Sequence, residues 1–256
     1  MLGPFSQTTT VGIRVDVVEA LDPVEVAVAH ALQGTRPWLM TFVNPASTIV
    51  ARQHPDYAEM LREFDVVVPD GIGMSLAIRL LHRRHAARIS FDTTSLAPVV
   101  FRLAARRGAR IVLAGGRPGV AEWARAQLER EFPGINVVGT FDGYADRAAT
   151  IDTIRALAPD IIVCGMGSIV QENFLLQLVK VGWRGVGFTC GGYLDQLNGG
   201  INYYPKLVDK WHLRWAYRLC REPRRLWRRY LLDYPAFGIA LCRALGAAGV
   251  HALTQR

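Results

Sequence analysis

The sequence predicts an α/β protein built on a Rossmann-like, doubly wound and mostly parallel sheet with helices on both faces. Two observations predict it. Short runs of β-branched residues, such as Val66–Val68, alternate with amphipathic stretches of helical length. The runs are apolar throughout, as expected for parallel strands that are buried on both sides. The alternation stops near Asn198, where a basic, aromatic helical C-terminal appendage is predicted to begin.

The elements follow in order from Trp38. The predicted strands are apolar runs that end at turn-forming residues, and they cover 38–43, 65–68, 110–114, 135–139, 160–164 and 185–189. The predicted helices have apolar residues at helical spacing, and they cover 47–63, 73–83, 95–107, 120–131, 148–158 and 169–181. Asn44 or Ser47 is expected to cap the first helix, because either side chain can accept a hydrogen bond from its free N–H groups. We therefore expect an α/β core over residues 1–199 and an appendage over residues 200–256.

Three turns at strand ends are candidates for ligand binding, because ligands of doubly wound sheets bind at the carboxyl ends of the strands. Asp70 stands in a Pro-Asp-Gly tripeptide, Gly115 and Gly116 follow the third strand, and Gln171 falls in the first turn of a helix after a Gly-Met-Gly turn. Glycines let a phosphate approach the backbone, and a helix N-terminus attracts it. A plain turn is the structural alternative at each position, and the pattern leaves both readings open.

Other motifs restrict the chemistry. Arg88 and Asp92 flank an extended segment between two predicted helices, where an ion pair is expected. The six histidines form no HxxxH or HExxH pattern, so we predict no metal site and no cofactor. No GxSxG motif or Cys–His arrangement indicates a covalent nucleophile. A nucleotide-dependent oxidoreductase is an alternative on the same sheet, but its GxGxxG fingerprint is missing.

The segment Trp211–Tyr230 interleaves aromatic rings with seven arginines in sixteen residues. In one continuous helix, Arg218, Arg225 and Arg228 would project within an arc of about 80°. Guanidinium groups bind phosphate with paired hydrogen bonds, and aromatic rings sit well at a lipid headgroup boundary. The segment therefore fits a lipid diphosphate at a membrane surface, and a nucleic-acid-binding protein is the alternative.

The distribution of charge disfavours the nucleic-acid alternative. The net charge is +8, and residues 206–229 carry nine Lys or Arg against two acids, a local surplus of seven. The remainder is close to neutral, so it offers no general coat for nucleic acid.

Cysteine usage and hydropathy predict a cytosolic chain. The four cysteines form no CxxC pair, and the first residues are neither charged nor apolar enough for a secretory signal. No uninterrupted apolar stretch reaches the roughly 18 residues that a spanning helix needs. The stretch 234–253 is expected either to lie at a membrane interface or to form a packed helix.

Seven pieces of the sequence resemble the WecG/TagA/CpsF family of bacterial glycosyltransferases (glycosyltransferase family 26). They occur in the family's order and cover about residues 38–230. The pieces are FVNP (Phe42–Pro45), VVVPDGIGM (Val66–Met74), LAGGRPGVAEWA (Leu113–Ala124), GTFDGY (Gly139–Tyr144), DIIVCGMGSIVQE (Asp160–Glu172), GGYLDQLNGG (Gly191–Gly200) and RWAYRLCREPRRLWRRY (Arg214–Tyr230).

The resemblance implies an inverting, metal-independent transfer of a sugar from a UDP-sugar to a sugar on a polyprenyl diphosphate. It implies a peripheral protein on the membrane surface, at the cytoplasmic face of the bacterial inner membrane. The family's products feed teichoic acid linkage units, enterobacterial common antigen, capsule or exopolysaccharide. The resemblance also suggests a homo-oligomer, and it includes no nucleic acid among the partners.

The resemblance implies roles for single residues. Asp70 matches the proposed general base, and Arg88 matches a pocket arginine. The appendage residues Arg218, Arg225 and Arg228 match arginines thought to close over the site and neutralise the departing diphosphate. Substrate-binding roles are implied for Asn44, Gly115, Gly116, Gln171, Asp195 and Tyr144, of which Tyr144 would stack on uracil.

The sequence departs from the family pattern near several of these positions. Phe42 stands where the family often has Thr, and Thr41 comes one place earlier. The piece GSIVQE lacks the Pro-Lys of the family's GxPKQE, and the loop after Arg88 lacks its glycine. The donor sugar is therefore left open between N-acetylmannosamine, glucose and others.

Overall fold

The computed structural model describes residues 5–197, 208 and 214–254. The strands are β1 (Ser6–Thr10), β2 (Ile13–Val17), β3 (Trp38–Val43), β4 (Val66–Pro69), β5 (Arg110–Gly115), β6 (Asn136–Phe141), β7 (Ile161–Gly165) and β8 (Val186–Thr189). The helices of the core are α1 (Asp22–Ala31), α2 (Pro45–Gln53), α3 (Pro55–Arg62), α4 (Ile72–His82), α5 (Leu96–Arg107), α6 (Val120–Glu131), α7 (Arg147–Leu157), α8 (Val170–Lys180) and α9 (Tyr193–Leu197). The C-terminal segment contains α10 (Arg214–Arg221), α11 (Pro223–Arg228), a π-helical turn (Arg229–Asp233) and α12 (Tyr234–Thr254).

Six strands form one sheet in the order β4-β3-β8-β7-β5-β6, and every pair in it is parallel. The predicted α/β, doubly wound class is thereby confirmed. The sheet forms because most of its strands are runs of buried apolar residues; Val66, Val67 and Val68 of β4 are all buried, whereas the edge strand β6 is mostly half-buried. Since all six strands are parallel, their carboxyl ends meet at one edge.

Helices cover both faces of the sheet and form two apolar clusters. One cluster joins the sheet to α1, α5, α6 and α9, and it contains an aromatic group around Phe91, Phe101 and Phe188. The other joins the opposite face to α3, α4, α7 and α8. The neighbouring strands β8, β7 and β5 are followed by α9, α8 and α6, which lie on alternating faces of the sheet, and a crevice is expected between such helices at the carboxyl edge.

An antiparallel hairpin of β1 and β2 was not among the predicted elements. It packs beside β4 and buries Ile13, Val15 and Val17 in the second cluster. Asp16 on β2 accepts a hydrogen bond from the backbone N–H of Val67 at 2.7 Å. This bond satisfies a backbone donor of β4, which is an edge strand of the sheet. Helices α1 and α9 were also not predicted.

The helix predicted over 47–63 is wrong, because the structure contains two helices there. α2 ends at Gln53 and α3 begins at Pro55, since proline has no N–H for the helical ladder and restricts the residue before it. The predicted cap is confirmed: Asn44 accepts a hydrogen bond from Ala46 N–H at 3.0 Å.

The single helix assumed for Trp211–Tyr230 is also wrong. α10 and α11 are separate, because Pro223 starts the second helix and Glu222 before it is not helical. Arg218 therefore lies on a different helix from Arg225 and Arg228. The spacing of these residues in the sequence therefore does not place all three on one helix face. The predicted boundary between residues 199 and 200 lies outside the described residues.

α12 is a packed helix and part of the second apolar cluster. It lies against α2 and α4, and it buries Phe237 and Leu241. Within the described residues, no helix is both long and apolar enough to cross a bilayer.

Candidate active site

Asp70 and Asn44 lie next to each other at the carboxyl edge. They follow β4 and β3, whose last residues Pro69 and Val43 are paired in the sheet. The backbone N–H of Asp70 donates to the carbonyl of Val43 at 2.7 Å, so the two strand ends are joined directly. The side-chain oxygen of Asn44 caps α2, and this fixes the residue at the rim.

The carboxylate of Asp70 is held by the segment that follows α4. Ile89 N–H donates to the carbonyl of Pro69 at 3.3 Å, and this places Ser90 beside Asp70. The hydroxyl of Ser90 donates a hydrogen bond to Oδ1 of Asp70. Ser90 was missed from the sequence, where only the flanking Arg88 and Asp92 stood out.

Arg88 forms the expected ion pair with Asp92. Asp92 also accepts hydrogen bonds from the N–H and the hydroxyl of Thr94, at 2.9 and 2.8 Å. The charge of Arg88 is thus balanced within its own loop, and its side chain stays partly exposed near the segment that holds Asp70.

The C-terminal segment brings Arg229 and Tyr234 to Asp70. Burial is the main cause of the raised pKa of Tyr234, and the negative charge of Asp70 contributes to it, as it does to the raised pKa of Arg229. Burial lowers the pKa of Arg229, but Tyr234, Asp70 and Tyr230 more than offset the burial, so its pKa lies above the ordinary value. The guanidinium carbon is 5.9 Å from the centroid of the Tyr234 ring. Among the described residues, Nε of Arg229 is buried without a hydrogen-bond partner.

Arg229 was not among the predicted site residues. The π-helical turn begins at Arg229 and packs against α2, whose first residue follows Asn44. Its neighbour Arg228, which was predicted, has an exposed side chain. For Arg218 and Arg225 the structure describes the helical backbone only.

The glycines after β5 and β7 are required by close packing of neighbouring turns. A Cβ on Gly115 would lie 2.1 Å from the carbonyl oxygen of Gly165, and φ of Gly115 is 136°. A Cβ on Gly165 would in turn lie 2.6 Å from the carbonyl oxygen of Gly191. Gly116 N–H donates to the Gly165 carbonyl at 3.1 Å. The turns after β5, β7 and β8 therefore contact one another through their backbones. This close packing alone explains why glycine occupies these positions, without any bound ligand.

A crevice opens between the same turns. α6 follows β5 and α8 follows β7, and the two helices lie on opposite faces of the sheet. Their N-termini point their free N–H groups and the positive ends of their dipoles toward this edge, which suits an anion. Gly119 and Gly167 precede these helices with positive φ, and an added Cβ would meet nothing within 4 Å at either position.

Gln171 belongs to a buried polar network beneath the crevice. It lies in the first turn of α8, as predicted. Its side-chain oxygen accepts a hydrogen bond from Gly191 N–H at 3.2 Å, and its side-chain nitrogen donates one to Glu172 at 3.1 Å. Glu172 also accepts a hydrogen bond from Thr41, whose hydroxyl is 2.8 Å from that of Thr189. The network joins β3, β8 and α8.

Glu172 is the third site residue that sequence reasoning missed, after Ser90 and Arg229. It is fully buried, and burial raises the pKa of its carboxyl group. Its Oε2 has no hydrogen-bond partner among the described residues. A buried carboxyl group with an open oxygen favours the protonated form.

Asp195 lies half-buried on α9, beyond the end of β8. It is close enough to Cys190 to contribute to the raised pKa of that thiol, although burial is the larger cause. α9 packs against α6, so Asp195 belongs to the β8 side of the crevice.

Tyr144 lies at the other end of the edge. It is 77% exposed in the loop after β6, and Gly143 N–H in that loop donates to the carbonyl of Gly116 at 2.8 Å. The loop thus folds back over the glycine turn of β5. β6 and β4 are the two edge strands, five strand spacings or roughly 24 Å apart, so Tyr144 and Asp70 follow strands at opposite ends of the edge. The structure does not bring these two residues together.

Within the described residues, no group of three or more His, Cys, Asp or Glu side chains is placed to hold a metal ion. The polar side chains instead form a row along the carboxyl edge, from the exposed ring of Tyr144 to the carboxylate of Asp70.

A row of this kind along the carboxyl edge of a parallel sheet is the ligand-binding edge of a doubly wound α/β protein. The chain belongs to the glycosyl transferase WecG/TagA/CpsF family, whose model matches residues 8–248. It is therefore a glycosyltransferase, and the resemblance noted in the sequence is confirmed.

Named relatives agree with this assignment. An N-acetylglucosaminyldiphosphoundecaprenol N-acetyl-beta-D-mannosaminyltransferase of Bacillus spizizenii is 31% identical over 78% of this chain and 77% of its own length. The enzyme of the same name from Bacillus subtilis is 28% identical over 80% of this chain and 79% of its own length. A UDP-Gal:alpha-D-GlcNAc-diphosphoundecaprenol beta-1,4-galactosyltransferase of Shigella boydii is 27% identical over 78% of this chain and 83% of its own length.

Proposed function

We propose that this protein transfers a sugar from a UDP-sugar to a hydroxyl group of an N-acetylglucosamine carried on a polyprenyl diphosphate. The observation that carries the proposal is the position of Asp70 at the carboxyl edge of the sheet, where Ser90 holds it and Arg229 is near enough for the two charges to interact. The names of the relatives support the acceptor, because all three act on an N-acetylglucosamine linked to diphosphoundecaprenol.

The reaction is a single displacement that inverts the anomeric carbon. The carboxylate of Asp70 accepts the proton of the acceptor hydroxyl while that oxygen forms a bond to the anomeric carbon of the donor. The bond from this carbon to the β-phosphate oxygen breaks, and UDP leaves with the bonding electrons. One base and a stabilised leaving group are sufficient, so no covalent enzyme intermediate and no metal ion are part of the proposed mechanism.

Charge stabilisation of UDP is assigned to two groups of residues. The N-termini of α6 and α8, after the glycine turns of β5 and β7, offer N–H groups to the diphosphate. Arg218, Arg225 and Arg228 of the C-terminal segment are proposed to close over the bound donor and neutralise its developing charge. Arg88 is proposed to contribute from the loop beside Asp70.

The length of the edge supports this layout. Uracil would stack on the exposed ring of Tyr144, and the diphosphate would lie over Gly115 and Gly116. The transferred sugar would then lie between the ends of β7, β8 and β3, where Gln171, Asp195 and Asn44 are found. The acceptor hydroxyl would meet the sugar from the side of Asp70. A row of roughly 24 Å is long enough for donor and acceptor to lie end to end.

The setting of the reaction follows from the acceptor. A polyprenyl tail keeps the substrate in a bilayer, so we propose that the protein binds peripherally at the cytoplasmic face of the inner membrane. Residues 1–199 would form the catalytic core, and residues 200–256 an appendage that completes the site and contacts lipid. The arginines and aromatic rings of this appendage suit a headgroup layer.

The test is UDP release from a panel of UDP-sugars, with a short-chain polyprenyl-diphosphate N-acetylglucosamine as acceptor and with EDTA in half of the reactions. We expect acceptor-dependent release that survives EDTA, inversion at the anomeric carbon of the product, and loss of turnover in a folded Asp70→Asn variant. Near-normal turnover by that variant would exclude Asp70 as the base. Loss of activity in EDTA would exclude the metal-free mechanism.

A further inference from the structure

Helix α4 carries an exposed apolar stripe that the proposed chemistry does not use. Ile72, Leu76 and Leu80 are 55%, 48% and 47% exposed. They are spaced four residues apart, so they lie on one face of the helix. The opposite face of α4 is already buried in the core through Met74, Ala77 and Ile78. The stripe is therefore additional apolar surface beyond what the fold requires.

Further exposed apolar residues lie on the C-terminal segment. α12 packs against α4, and the π-helical turn precedes α12 directly. Leu231, Leu232 and Ile239 of these two elements are also exposed large apolar residues. We call the six residues the α4 face. Single exposed apolar residues are common on proteins, but a group spread over two packed elements indicates a binding surface.

The charge around the α4 face is mainly positive, although Asp233 lies next to Leu232 in the π-helical turn. No acidic residue occurs between Gly71 and Phe91 or between Tyr234 and Thr254. Arg79 and Arg83 on α4 and Arg243 on α12 are exposed. An apolar stripe bordered by cations is the pattern of a surface that lies on anionic lipid, with aliphatic side chains in the acyl boundary and arginines at the headgroups.

We propose that the α4 face is a membrane-docking surface that joins α4 of the core to the C-terminal segment and rests on an anionic phospholipid bilayer. The inference rests on the proposed function, which gives the docking its purpose. Ile72 is only two residues from Asp70, the proposed base. Docking through α4 would hold the rim of the site at the bilayer, where a lipid-linked acceptor is confined. The surface extends the lipid contact proposed for the appendage onto the core, since three of its six residues lie on α4 and three on the C-terminal segment.

A second copy of the chain is a weaker candidate for covering this face. A symmetric dimer would place the same surface on both sides of the interface, so the arginines of one copy would face those of the other. Like charges at an interface disfavour association. An anionic bilayer satisfies the apolar stripe and the cations together.

The test compares a Leu76→Gln/Leu80→Gln double variant with Val26→Gln. Val26 is an equally exposed apolar residue, but it lies on α1, which covers the other face of the sheet. Each full-length protein is sedimented with vesicles of mixed phosphatidylcholine and phosphatidylglycerol. We expect the double variant to bind at least about tenfold more weakly, because two leucines lose their apolar burial. Val26→Gln should bind like the native protein, and vesicles of phosphatidylcholine alone should bind the native protein less.

Two further measurements keep the inference falsifiable. On a water-soluble, short-chain acceptor the double variant should keep its turnover within about twofold, as expected for surface substitutions. Unchanged vesicle binding by a folded double variant overturns the proposal. A native dimer that the double variant breaks, with equal vesicle binding, assigns the face to self-association and also overturns it. Weakened vesicle binding without any transferase activity of the native protein would instead uphold docking and refute the proposed function.

Discussion

The hydroxyl of Ser90 donates a hydrogen bond to Oδ1 of Asp70, across a chain separation that includes all of α4. This bond ties the carboxylate to the loop that also contains the Arg88–Asp92 ion pair. One carboxylate oxygen is thereby fixed, and in the proposed mechanism the other accepts the proton of the acceptor hydroxyl. The orientation of Asp70 thus depends on the loop after α4 as well as on the end of β4.

Ser90→Ala should reduce kcat while the fold survives. A hydrogen bond to a charged group is worth about 1.5–3 kcal/mol, so we expect a loss of roughly 10- to 100-fold. Steady-state transfer assays check this value. Ser75→Ala is the matched control, because the hydroxyl of Ser75 is buried without a partner among the described residues. Equal kcat values for both variants would remove Ser90 from the mechanism.

Arg229→Gln should lower turnover by about 100-fold, the effect of removing one preorganised charge-stabilising donor from a desolvated site. Arg229→Lys should restore part of the rate, since it keeps the charge but not the guanidinium fork. The control is Arg224→Gln, which removes an exposed arginine from the adjoining helix α11. If Arg224→Gln and Arg229→Gln behave alike on a soluble acceptor, the specific role of Arg229 beside Asp70 is wrong.

Glu172→Gln should change how stability depends on pH. Burial raises the pKa of Glu172 above its value of 4.5 in an unfolded chain. The folded protein then binds more protons than the unfolded one at pH values above 4.5, so this group makes the free energy of unfolding fall as pH rises toward the folded pKa. Glutamine keeps an oxygen for Thr41 and does not titrate. Urea unfolding at several pH values should show the variant gaining stability relative to the native protein as pH rises.

The opposite trend, or parallel pH profiles for the two proteins, would contradict a protonated, buried Glu172. Asp152→Asn is a suitable control, since Asp152 is an exposed acid on α7 and should leave the profile unchanged.

Gly115→Ala should prevent folding or destabilise the protein by more than about 3 kcal/mol, since a Cβ would overlap the carbonyl of Gly165 at a backbone conformation that disfavours side chains. Gly238→Ala on α12 is the control, because an added Cβ meets nothing within 4 Å there. It should be neutral or stabilise by roughly 0.5–1 kcal/mol, as alanine is the better helix former. Thermal unfolding measures both. A well-folded Gly115→Ala variant would show that the contact between the turns after β5 and β7 is not tight.

The sheet could be predicted from the sequence because its strands are short apolar runs, and six predicted strands are present. The failures have local physical causes. Pro55 ends a helix whose apolar spacing continues past it, and Pro223 divides the basic segment in the same way. The β1–β2 hairpin was missed because its strands carry polar residues such as Thr8 and Arg14, so they lack an uninterrupted apolar run.

The candidate site was predictable only in part. Asp70, Asn44 and Gln171 could be placed at one edge, since they follow parallel strands. The sequence could not single out Arg229 among the seven arginines of the basic segment. The direction of its side chain depends on a π-helical turn, and no residue pattern predicts that turn. Ser90 and Glu172 owe their positions to contacts with distant parts of the chain, which one sequence does not reveal.

The neighbours of Asp70 are made at very different times during translation. Every strand of the sheet has left the ribosome once Thr189 is free, whereas Arg229 and Tyr234 emerge later. Because domains can fold as they are synthesised, a nascent chain can hold a finished sheet whose carboxylate still lacks its cation. Under the proposed mechanism, the catalyst would then be switched on by the completion of its own synthesis, and an unfinished chain would leave lipid-linked sugars untouched.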